Sequence, residues 1–172
     1  MATAYIPLPP LAWYPADGTA GSAAAELAVV VTSDATDPQA RWFQWLFDAN
    51  TDEHIMAQFI MPGNYASGPV LKVYYKCASA TSGSFCVQGR LMAVTDADAA
   101  DMDGDEFSTA NAGNATVPGT AGYMDVLSIE LSNADSVAAG DHVALCLNRD
   151  ISEDSVAGDI EVVGCDLQYT TT

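Results

Sequence analysis

The sequence predicts an all-β protein: an antiparallel, jelly-roll-like β-sandwich of about eight strands with an extended N-terminal arm. Three observations carry this. Apolar residues alternate with period two, as in "MDVLSIEL", where Val126, Ser128 and Glu130 oppose Leu127, Ile129 and Leu131. Turn chemistry separates the alternating runs: "PGN" from Pro62, "SATSGS" from Ser79, "AAGD" from Ala138 and "AGD" from Ala157. No stretch repeats apolar residues at the i, i+3, i+4, i+7 spacing of an amphipathic helix.

The chain divides into residues 1–25, the arm, and residues 26–172, the sandwich. The arm holds four of the eight prolines, Pro7, Pro9, Pro10 and Pro15, which bar it from a helix or a central strand. Its Tyr5, Ile6, Leu8, Leu11, Trp13 and Tyr14 are too apolar to be left in water, so they are assigned to an interface with another chain. The eight strands then run Leu27–Ser33, Arg41–Asp48, His54–Met61, Val70–Ser79, Phe85–Thr95, Tyr123–Ser132, His142–Asp150 and Asp159–Thr170. In the second, Trp42, Phe43, Trp45 and Phe47 put aromatics on both faces, which suits a core on one side and a subunit contact on the other. In the fourth, Lys72, Tyr74 and Lys76 share one face, a small basic strip suited to an acidic neighbour. Residues 97–118 form the longest insertion.

Composition narrows the function. With 23 acids against five Lys and Arg, the formal charge is −18. That excludes nucleic acid, which needs a basic face, and disfavours an anionic membrane surface. No segment has the length of a membrane helix, and the N-terminus lacks the basic and apolar regions of a signal peptide, so folding in a cytoplasm is expected. Cys77, Cys86, Cys146 and Cys165 make no C-x-x-C and have no histidine at ligand spacing. They read as reduced thiols acting as small hydrophobes, although Cys77 and Cys86 flank what reads as one hairpin turn.

The most acidic stretch is "DADAADMDGDEF", Asp96 to Phe107. As an EF-hand with Gly104 at position 6, it has Asp101 and Asp103 at positions 3 and 5, but Ala99 and Ala110 at positions 1 and 12. The end ligands fail. Asp101, Asp103 and Asp105 remain the candidates for a calcium site of another kind, and a solvated loop is the simpler reading. No G-x-S-x-G or G-x-G-x-x-G occurs, His142 reads as a surface residue after a Gly-Asp turn, and no cofactor is called for. The chain reads as a non-enzyme.

One resemblance extends this. Gly140-Asp141 ends a turn, Arg149-Asp150 ends the next strand, and Gly158-Asp159 leads into a last strand that carries Tyr169. With "WFQWLFD" and the "SATSG" turn, this resembles small structural proteins of tailed bacteriophages over about residues 40–170. The resemblance implies a β-sandwich virion protein with no active site. It leads to a homotrimeric decoration (cement) protein on the capsid surface, assembled in the host cytoplasm, with the major capsid protein as partner. The alternative is a receptor- or carbohydrate-binding sandwich of a head or tail fibre. A glycan-active enzyme on the same fold is a third reading, and needs two carboxylates facing across a cleft.

Overall fold

The computed structural model describes residues 1–16, 22–32, 38–96 and 102–172. Among these, twelve strands form two six-stranded sheets. They are β1 (Thr3–Leu8), β2 (Trp13–Ala16), β3 (Ser22–Ala24), β4 (Glu26–Val31), β5 (Arg41–Phe47) and β6 (Asp52–Ile60). There follow β7 (Tyr65–Lys76), β8 (Ser84–Val94), β9 (Asn111–Thr116), β10 (Asp125–Glu130), β11 (His142–Arg149) and β12 (Ile160–Thr171). The first sheet runs β10-β7-β12-β5-β4, with β1 beside the second half of β12. The second runs β2-β6-β11-β8-β9, with β3 also against β6. All pairings are antiparallel except the short β3–β6 contact. The predicted sandwich is therefore what forms, and all eight predicted strands are present in it.

Alternation decides what lies between the sheets. Leu71, Val73 and Tyr75 of β7 point inward beside Leu167 of β12, and meet Val143, Leu145 and Leu147 of β11 with Ile55 and Leu91 from its neighbours. Tyr75 packs edge-on against Phe85 across the gap, with ring centroids 4.8 Å apart. Arg149, at the end of β11, is fully buried in this core. Its Nε donates to Asp154 at 2.6 Å, and its Nη1 to the carbonyls of Phe47 and Gly158 at 2.9 and 3.0 Å. A guanidinium buried with its charge and donors matched ties three chain segments together at that end of the sandwich.

Three expectations are corrected. Residues 1–16 are not a separate arm. The prolines do keep this segment out of helices and central strands, but edge strands tolerate them: Pro7 sits in β1 and Pro15 in β2, each at a border of its sheet. Pro9 and Pro10 mark the single 3-10 turn by which the chain crosses from one sheet to the other. Leu8 and Trp13 then enter this domain's own core, and the Trp13 indole donates to the Leu8 carbonyl at 3.2 Å. Second, the insertion at 97–118 contains β9. "NAGNAT" has weak strand propensity, but Gly113 is required there, since a Cβ would lie 2.7 Å from Ile129. Cys77 and Cys86 do not share a hairpin: Cys77 follows β7 in the first sheet, and Cys86 lies in β8 of the second. All four thiols are free and buried.

Candidate functional site

The outward face of the second sheet is built from three central strands in exact register by backbone pairing. Gln88, Asn148 and His54 lie in one row across β8, β11 and β6. Arg90, Cys146 and Met56 form the next row, and Met92, Ala144 and Gln58 the one after. The middle strand thus presents small side chains, and the strands beside it long ones. The result is a trough, which explains why Ala144, Cys146 and Asn148 are buried although they point away from the core.

Residues 106–110 wall one side of it, giving an open groove of about 740 Å³. Its floor carries His54, Met56, Gln88, Arg90 and Cys146, and its wall carries Glu106, Phe107 and Ser108. The wall is fixed at two points. Ser108 bonds through its backbone N–H to the Leu91 carbonyl at 3.0 Å and through its hydroxyl to the Asn133 carbonyl at 2.7 Å. Buried Asn111 accepts from Asn133 N–H at 3.0 Å and donates to the Gly89 carbonyl at 3.3 Å.

The polar groups of the floor form a short relay. Arg90 Nη2 donates to Gln88 Oε1 at 2.9 Å, and Gln88 Nε2 donates to Asp150 at 2.6 Å. Asp150 also accepts from Ser152. His54 Nδ1 and Asn148 Oδ1, neighbours in the first row, are buried without a hydrogen-bond partner. Burial, and then the positive charge of Arg90, hold the His54 imidazole below its ordinary pKa. Burial pushes the Cys146 thiol up to about 11, which disfavours the thiolate at neutral pH. Among the described residues lining the groove, Glu106 is the one carboxylate. Those residues alone do not assemble the facing pair that glycoside hydrolysis needs.

The predicted site residues fall elsewhere. Asp101 lies outside the described residues. Asp103 is exposed, and Asp105 is half-buried with its carboxylate accepting from the N–H of Glu106 at 2.9 Å. No group of three His, Cys, Asp or Glu positioned to hold a metal occurs among the described residues. Of the interface set, Leu8 and Trp13 are core and Ile6 packs against it, whereas Tyr5, Leu11 and Tyr14 are exposed. Tyr14 borders the second sheet's outer face, where its hydroxyl accepts from Gln58 at 2.9 Å. The basic strip is engaged within its own sheet: Lys72 with Ser128, Tyr74 with Asp166, and Lys76 with Glu161. His142 is not a plain surface residue, since its Nδ1 is buried and unpartnered. The floor residues were missed because they are dispersed over β6, β8 and β11, and only the register of those strands brings them together.

No protein-family model matches the chain, and no curated protein matches it. Solved structures do. The fold is shared with carbohydrate-binding modules. The family 11 module from Clostridium thermocellum, solved in complex with a β-1,3-1,4-mixed-linked tetrasaccharide, has a TM-score of 0.51 at 9% identity, over 97% of this chain and 96% of that one. The family 11 module of a cellulosomal cellulase from Clostridium thermocellum gives 0.50 at 9% identity, over 97% and 95%. At that identity the likeness is one of fold and transfers no residue.

Proposed function

We propose that this chain is a non-catalytic, carbohydrate-binding β-sandwich module whose ligand lies in the groove of the second sheet. The carrying observation is the trough itself: small residues along β11, long ones beside it, and a pinned wall. Such a groove takes an extended chain of sugar rings. Met56 and Phe107 offer apolar contact to ring faces, while Gln88, Arg90 and His54 offer hydrogen bonds to hydroxyls. The fold shared with modules of this kind supports the reading without supplying its residues. The phage resemblance supplies a setting, a head or tail fibre that meets glycans on a host surface. The capsid-cement reading rested on the phage resemblance and on a free apolar arm, and the pairing of β1 with β12 and of β2 with β6 removes the second support.

The test is a glycan array followed by titration calorimetry on the best ligand. Gln88→Ala and Phe107→Ala should each weaken binding by about 3- to 10-fold, the scale of one lost hydrogen bond or packing contact. Tyr123→Ala, exposed next to the first sheet, should leave affinity unchanged. A protein that retains no glycan, or whose binding ignores the groove substitutions, is not this module.

A further inference from the structure

We infer that the groove selects a glycan carrying an anionic substituent, a carboxylate or a sulfate, which the Arg90 guanidinium holds. This rests on the glycan-binding reading of the groove.

The five Lys and Arg side chains are used differently. Lys76 and Arg149 are in ion pairs, with Glu161 and Asp154. Lys72 donates to Ser128, and Arg41 begins β5 on the exposed outer hairpin. Arg90 alone of the five lines the groove. It is half-buried, and among the described residues its one hydrogen-bond partner is the neutral amide oxygen of Gln88 at 2.9 Å. A guanidinium has five N–H donors, so most of its capacity is unmet.

The surroundings keep it that way. In a chain with 23 acids, every floor residue next to Arg90 is neutral. Across the sheet it faces Cys146, whose thiol stays protonated, and then Met56. Along its own strand it meets Gln88. The nearest carboxylate in the relay, Asp150, is already committed to Gln88 and Ser152. Glu106 lies on the exposed wall and forms no ion pair with Arg90. His54 is held toward its neutral form and so does not compete for an anion.

Hydroxyls of a neutral sugar need no cation, because amides serve them equally, and covering a charge with a neutral ligand costs its hydration. A carboxylate or sulfate matches the planar fork with two parallel charge-assisted bonds. A neighbouring hydroxyl of the same sugar can reach the polar row of Gln88, Asn148 and His54.

The experiment titrates the full chain, at about 0.15 M salt to screen its own negative charge, with three probes. These are a neutral β-1,3-1,4-glucan tetrasaccharide, an oligogalacturonate and a sulfated galactan oligosaccharide. At least one anionic probe should bind about 10- to 100-fold more tightly than the neutral one, the range of a charge-assisted contact. Arg90→Gln should bring the anionic probe down to the neutral level, and Arg90→Lys should retain part of the preference. Which anionic probe leads tells carboxylate from sulfate. If the neutral probe binds as well as both anionic ones, or if Arg90→Gln spares the preference, anion selection is overturned while the glycan-binding reading stands. If none of the probes binds and the array is also blank, both fall together.

Discussion

The two sheets turn unlike faces to solvent. On the first, the polar side chains satisfy one another. Lys72 Nζ donates to Ser128 at 3.0 Å and Tyr74 donates to Asp166 at 2.9 Å, all within one or two rows of β10, β7 and β12. Glu161 accepts from Lys76, from Gln44 at 2.7 Å and from the Ala78 N–H at 2.9 Å. On the second, three buried polar atoms, on His54, His142 and Asn148, have no partner among the described residues, against one on the first, Gln44 Oε1. A face closed on itself stabilises the fold. A face left open at its floor keeps polar capacity that the fold itself does not use.

Both faces stand on one core, and the largest effect should come from there. Trp13→Ala removes a buried indole and should cost about 3–5 kcal/mol in urea unfolding, as a shift of a single transition. A truncation of residues 2–16 that stays as stable as the full chain would return this segment to the role of a free arm. Next, Glu161→Gln breaks the first face's ion pair and should cost about 2–3 kcal/mol, with glycan affinity unchanged. Tyr74→Phe should cost about 1 kcal/mol, again without touching the groove.

Acid sharpens the contrast through His54. Its folded pKa is lowered, so below about pH 6.5 the unfolded chain binds the proton first. Stability is full above that pH and falls as pH drops toward the folded value. His54→Gln should flatten the slope of melting temperature against pH just below 6.5, and an unchanged slope refutes the assignment. The smallest effect belongs to the acidic loop. Replacing Asp101, Asp103 and Asp105 by Asn should move stability by less than about 0.5 kcal/mol; calcium-dependent melting in the parent would contradict this.

What the sequence made legible follows from which forces act locally. The eight predicted strands lie in segments bounded by turn residues, and several alternate with period two, so each shows in its own residues. β1 and β2 were hidden by Pro7 and Pro15, because a proline forbids a ladder bond on one side only, and the sequence does not say which side faces solvent. β9 was hidden by Asn, Ala and Gly, residues chosen for close approach to Ile129 rather than for strand propensity. The groove lay beyond local reading altogether. It arises from Cys146 standing beside Arg90 and Met56, and those neighbours are 56 and 90 residues away in the chain. Register creates the trough, and register is a property of pairing partners, not of one strand.

β12 has a consequence for synthesis. It is the strand that β7, β5 and β1 all need as a neighbour. In the growing chain, β7 leaves the ribosome roughly a hundred residues earlier, which at about 5–20 residues per second is a wait of about 5–20 s. Through that interval Leu71, Val73 and Tyr75 lack Leu167, Cys165 and Val162, and the long edge of β7 is open to strands from other nascent chains. Slower translation or higher temperature lengthens or aggravates that exposure. Yield of soluble protein should therefore depend on the rate of elongation through residues 77–171 more than on the stability of the finished sandwich.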